Sequence, residues 1–233
     1  MLNEIVLIIF YFLILIYSII LHEVSHGVMA MWLGDNTAKY SGRISANPLK
    51  HIDPWMTIMV PFLMLLMTGG RIAFGGAKPV PYNPYNLRNQ KWGPALVAFA
   101  GPASNILIAS VLAIMARIIN IPQVIKYDII TNVRLSDWGA VSSVISGSLG
   151  SIVFTLCIIA IFWNLLLAIF NLIPIPPLDG SKLLFAFLPL KIETMALLEQ
   201  FGFLILLAVI FLFMGPISWI LNFFWILFFN FTL

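Results

Sequence analysis

Residues 5–33 read IVLIIFYFLILIYSIILHEVSHGVMAMWL. The run is long enough to cross a bilayer, because about 20 predominantly apolar residues span the hydrocarbon. Inside lipid the backbone must satisfy its own hydrogen bonds, so the run is read as a helix. Near its end stand His22, Glu23 and His26. Ionisable groups at membrane depth are expensive and mark function. Two histidines four apart share one helix face and can hold a metal together. A glutamate beside the first can serve as a base on water that the metal activates. The pattern points to a zinc hydrolase with its active site within the bilayer. If Ile5 marks one interface, His22 lies roughly 25 Å further on at 1.5 Å per residue. The hydrocarbon is about 30 Å thick, so the site sits inside the membrane near the far face.

Composition agrees with the first run. The chain has 233 residues, 61% hydrophobic and 9% charged, where a soluble domain carries about 25% charged residues. It is a polytopic membrane protein of one domain, 1–233, with a core over 5–190 and a C-terminal helical hairpin over 195–232. The net charge is +3 and no basic run occurs, which excludes a nucleic-acid partner. Cys157 is the sole cysteine and lies in an apolar run, so it reads as packing with no internal disulfide. The first run lacks a basic leader and holds the motif, so it is expected to be retained.

Further apolar runs cover 52–68, 94–116, 150–173, 195–214 and 216–232. Within the five long runs, only His22, Glu23, His26 and Glu199 are charged residues or histidines. The run at 52–68 has Pro61 in its middle and is expected to be re-entrant or peripheral. Loops 35–51 and 70–92 are rich in Gly, Pro and Asn, and Lys39–Ala46 and Arg71–Ala77 are expected as short β elements. The expected fold is therefore an all-α polytopic membrane protein. It has about five transmembrane helices, a re-entrant or peripheral segment and short membrane-associated β elements.

A catalytic zinc keeps three protein ligands and one open position. The helix supplies two. Candidates for the third are His51, Asp53, Asp128, Asp137, Asp179, Glu193 and Glu199. Asp179 is best placed, because Asn171-Leu172-Ile173-Pro174-Ile175-Pro176-Pro177-Leu178-Asp179-Gly180 directly follows the 150–173 run. Its prolines stop the helix, and broken backbone at membrane depth must be covered by protein or line a water-filled cavity. A surface proline turn with a solvated Asp179 stays open as the other reading. Asn105, among Gly, Ala and Ser, reads as a helix-packing residue. His51 reads as a solvated loop histidine. The C-terminal Phe and Trp residues read as lipid-facing or interfacial.

The combination of His22-Glu23-x-x-His26 with Asn171-x-x-Pro174-x-Pro176-x-x-Asp179-Gly180 resembles the site-2 protease family of intramembrane zinc metalloproteases. Gly101-Pro102-Ala103-Ser104-Asn105 resembles the Gly-Pro-x-x-Asn pattern of its middle core helix. Asn47–Pro54 and Ala77–Pro81 resemble the short prokaryotic branch, without PDZ or CBS modules. The match spans roughly 5–190. The resemblance implies one zinc per chain, held by His22, His26 and Asp179, and Glu23 as the catalytic glutamate. It implies that Asn171 orients substrate or stabilises the oxyanion. It also implies a transmembrane protein as substrate and the prokaryotic cell membrane as location.

For Glu23 and Asp179 to meet, helices 5–33 and 150–173 must run parallel, so 52–68 should not cross. With that topology, Lys39, Arg43, Lys50, Arg71, Lys78, Arg88, Lys91, Lys182 and Lys191 share one face, and Arg117, Lys126 and Arg134 the other. That bias places the zinc near the cytoplasmic face and the N-terminus outside. If 52–68 crosses, the charges divide evenly. A membrane metal transporter using the same residues is the alternative. It would need polar residues along a path through several helices, which the other runs nearly lack. A prenyl-protein-processing type of protease would need Glu193 or Glu199 as third ligand.

Overall fold

In a computed structural model of the chain, residues 2–67, 76–145, 147–188, 190 and 192–233 are described, and every regular element among them is helical. In chain order they are α1 (Leu2–Trp32), α2 (Thr37–Tyr40), a π-helical turn (Pro54–Met59) continuous with α3 (Val60–Met67), α4 (Gly93–Ile118), α5 (Gln123–Leu135), α6 (Trp138–Ile145), α7 (Leu149–Asn171), α8 (Asp179–Phe187) and α9 (Ile192–Thr232). Single 3₁₀ turns lie at Pro48–Lys50 and Pro84–Asn86.

Among the described residues, five stretches are long and apolar enough to cross a membrane: Asn3–Trp32, Gly93–Ile118, Leu149–Asn171, Glu193–Phe213 and Gly215–Thr232. The chain is a multi-pass membrane protein. The 54–67 stretch is not among them, and its fourteen residues reach only about 21 Å at 1.5 Å each, less than the roughly 30 Å of hydrocarbon.

α4 packs against α1, α7 and α8. Ala98, Ala109, Ala113 and Ala116 are buried on it, and small side chains let helices approach closely in lipid. On α1 the inward stripe is Leu7, Tyr11, Ile14, Ser18 and His22, a spacing of three or four residues that keeps one face toward the bundle. Ile5, Ile9, Phe12 and Ile16 point outward. The largest apolar core lies away from the motif, where Phe154, Ile158 and Ile161 of α7 meet Ile129 and Val133 of α5 and Trp225 and Phe229 of α9.

One expectation differs from the structure. No strand forms among the described residues. At 39–46 the backbone bonds locally instead: Tyr40 N donates to Asn36 O, Ser41 N to Thr37 O and Arg43 N to Ala38 O. The Asp35 carboxylate, which accepts from Thr37 N and Thr37 Oγ1, starts that turn. Of the other expected β element, 71–75 lie outside the described residues, and Gly76 and Ala77 belong to no regular element. Within 195–232 two helical segments meet at Phe213, whose backbone is not helical (φ −119°, ψ 25°), and Pro216 follows closely.

Candidate metal centre

His22, Glu23 and His26 sit on adjacent turns of α1, and the two imidazole rings stand edge-on with centroids 4.6 Å apart. Asp179, the first residue of α8, arrives from the opposite side. Its Oδ2 lies 3.0 Å from His22 Nε2 and 3.3 Å from His26 Nε2. Local sequence explains that arrival. α7 ends at Asn171, the prolines carry the chain irregularly through 172–178, and α8 folds back on the end of α7. Gly180 permits the return: a Cβ there would lie 2.5 Å from Ile173 O. Asp179 is therefore not the solvated end of a surface turn.

α4 closes the third side. A Cβ on Gly101 would lie 2.5 Å from His26 Cε1 and 2.6 Å from His22 Cε1, so only glycine lets α4 pass beneath both rings. The same helix fixes the rings from behind. His26 Nδ1 meets Val97 O at 2.7 Å. A carbonyl only accepts, so Nδ1 carries the hydrogen and Nε2 keeps a lone pair. His22 Nδ1 meets Asn105 Oδ1 at 2.6 Å, and the Asn105 amide nitrogen is turned to Ser18 O. His22 Nε2 thus also keeps its lone pair. Asn105 is fully buried and holds a site histidine rather than serving packing alone.

Two imidazole lone pairs therefore face one carboxylate oxygen, Asp179 Oδ2, at 3.0 Å from His22 and 3.3 Å from His26. Such an arrangement calls for a cation or an added proton between them. Bonds of about 2.0–2.1 Å to a tetrahedral zinc would place ligand atoms roughly 3.3 Å apart. The donor types and separations fit zinc.

Glu23 offers a carboxylate oxygen within 4.8 Å of the imidazole nitrogens. Its Oε2 accepts from Val80 N at 2.9 Å. Val80 belongs to the irregular Ala77–Pro81 segment, which is braced at several points. Arg43 donates to Lys78 O (2.7 Å) and Pro79 O, and Lys78 N donates to His51 O at 2.8 Å. Further along, Asp35 accepts from Asn83 N (2.6 Å) and Asn86 Nδ2 (2.9 Å). His51 is buried, with Nε2 on Ser45 O at 2.8 Å. It is a loop brace and not a solvated histidine.

Asn171 lies just before the proline segment, and its Nδ2 donates back to Leu167 O at 2.9 Å. Among the described hydrogen bonds none joins it to His22, Glu23, His26 or Asp179. Three of the other acidic candidates are engaged elsewhere: Asp53 with Trp55 N (2.8 Å), Asp137 with Ala140 N (2.9 Å) and Glu199 with Lys182. Sequence reasoning missed Asn164, Asp35 and the Val80 amide. An amide inside the apolar run 150–173 was a visible signal for Asn164. A backbone N–H such as that of Val80 leaves none.

The model of peptidase family M50 matches residues 10–214. Two relatives are each named "Putative zinc metalloprotease". YwhC of Bacillus subtilis (strain 168) is 30% identical over 88% of this chain and 80% of its own length. Rip2 of Mycolicibacterium smegmatis is 26% identical over 83% of this chain and 63% of its own length. No solved structure matches the chain.

Proposed function

The chain belongs to peptidase family M50 and is a zinc metalloprotease, and we propose that it hydrolyses peptide bonds in or next to transmembrane segments of other membrane proteins. The observation that carries this reading is the convergence of His22 Nε2, His26 Nε2 and Asp179 Oδ2 beside Glu23, on helices of membrane-crossing length. His22, His26 and Asp179 hold one zinc. When bound, zinc supplies Lewis acidity, polarising the scissile carbonyl and lowering the pKa of water.

Glu23 is the base. It accepts a proton from the attacking water and passes it to the departing amine. Val80 N–H, bonded to Oε2, orients that carboxylate and leaves Oε1 for the water. Asn171 spends one amide hydrogen on Leu167 O. An amide nitrogen has two, so the second can be offered to the developing oxyanion. The charge distribution supports an outside N-terminus and a site reached from the cytoplasmic face. The activity is regulated intramembrane proteolysis.

The deciding experiment compares cleavage of single-span membrane proteins by wild type and Glu23→Gln, with bound zinc measured in both. The expected result is loss of cleavage by more than a hundredfold with zinc retained, since general base catalysis contributes about 10²–10⁴-fold. Equal cleavage by the two proteins would exclude Glu23 as the base.

A further inference from the structure

We propose that Asn164 and Ser18 are positioning residues that set the tautomer and orientation of His22 through Asn105; the proposal rests on His22 being a metal ligand. Four side chains from three helices form one buried chain. His22 Nδ1 meets Asn105 Oδ1 at 2.6 Å, Asn105 Nδ2 donates to Asn164 Oδ1 at 2.7 Å, Asn164 Nδ2 donates to Ser18 Oγ at 3.0 Å, and Ser18 Oγ donates to Ile14 O at 2.8 Å. Ser18, His22, Asn105 and Asn164 are all at most 5% exposed.

The direction of the chain is fixed at its far end. Ile14 O is a backbone carbonyl and can only accept, so Ser18 must donate to it and must receive from Asn164. Asn164 then turns its carbonyl oxygen toward Asn105. Asn105 must answer with its amide nitrogen and face His22 with its oxygen. Two further acceptors hold the amides against flipping: Ala160 O takes an Asn164 hydrogen at 2.8 Å, and Ser18 O faces Asn105 Nδ2 at 3.4 Å. Every link donates away from the metal centre. The result is a hydrogen on His22 Nδ1 and a lone pair on Nε2, the state a metal needs. His26 reaches the same state from one carbonyl, Val97 O. His22 needs the relay because Asn105, unlike a carbonyl, could present either end of its amide.

Full-length protein in detergent tests this by zinc affinity, measured by chelator competition on the metal-stripped form, and by the visible spectrum of the Co²⁺-substituted form. Asn164→Leu keeps the side-chain branching and removes the link. It should weaken zinc about tenfold, the lower end of what outer-shell partners contribute, and change the Co²⁺ spectrum. Ser18→Ala should move both in the same direction by less, and it decides the matter if Asn164→Leu does not fold. Thr155→Val removes a buried hydroxyl that bonds Ser151 O on the same helix, away from the chain, and should leave zinc affinity unchanged. Wild-type affinity and spectrum in the position-164 variant, or equal weakening by Thr155→Val, would overturn the relay. A wild-type protein that binds no zinc would instead overturn the metal site itself.

Discussion

At Gly101 a single hydrogen atom separates α4 from the rings of His22 and His26. Alanine there would place a methyl carbon 2.5–2.6 Å from ring carbons, well inside van der Waals contact. Neither ring can retreat freely, because Val97 O and Asn105 Oδ1 hold their far nitrogens. Overpacking of this kind costs about 1–3 kcal/mol, and here it falls on the ligands. Gly101→Ala is expected to lower zinc affinity at least about tenfold, since each 1.4 kcal/mol is a factor of ten, while the helical circular dichroism stays at the wild-type level. Unchanged zinc affinity would show that α4 does not support the rings. The histidine pair was legible in the sequence because a four-residue spacing on a helix is a local fact. The part played by Asn105 was not, because its contact with His22 joins residues 83 apart. Hydropathy describes how apolar a segment is and says nothing about which amide on another helix faces it.

Among the elements, the loop between α1 and α4 depends on one carboxylate. Asp35 is fully buried and accepts from Thr37 N, Thr37 Oγ1, Asn83 N and Asn86 Nδ2. It thereby fastens Pro84–Asn86 to the end of α1, a few residues beyond the Val80 amide on Glu23. Burial pushes its pKa up. The hydrogen bonds from Thr37, Asn86 and Asn83 outweigh burial and hold it below its ordinary 3.8. A lowered carboxyl pKa stabilises the fold fully above the unfolded value and less as the pH falls through the folded one. Wild type should therefore keep residues 77–88 protected from protease above pH 5 and lose that protection below about pH 4. In Asp35→Asn, with one acceptor oxygen for four donors, protection should be weaker by about 1–3 kcal/mol at neutral pH and nearly flat between pH 5 and 3. A variant with the wild-type acid profile would remove Asp35 from this role. This loop is also where the sequence was hardest to read. Gly, Pro and charged residues fit a bent strand or a short helical turn equally well, and the Asp35 hydrogen bonds select the turn.

For the molecule as a whole, the path of the chain bears on how many times it crosses. α1 and α4 both touch the metal centre, at His22 and at Gly101. From there α1 runs back to Leu7 over about 22 Å and α4 runs on to Arg117 over about 24 Å, at 1.5 Å per residue. The start of α1 packs on α6 through Tyr11 and Trp138, whose rings are 4.9 Å apart. The end of α9 reaches the same end of the bundle: Arg117 Nη1 donates to Phe231 O at 2.8 Å, and Lys126 Nζ caps both Ala116 O and Thr232 O. The beginning of α9 lies at the other end, where Gly202 approaches Pro176 and Glu199 pairs with Lys182. Although α9 holds two stretches of crossing length, these contacts predict one net crossing for it, with both chain termini opposite the metal centre. Composition could not reveal this, because a bend at Phe213 and a full turn look alike in a hydropathy profile. Reporters fused separately to each terminus should give the same side, expected from the positive-inside bias to be the exterior. Termini reported on opposite faces would restore an odd number of crossings and require the first half of α9 to traverse the membrane on its own.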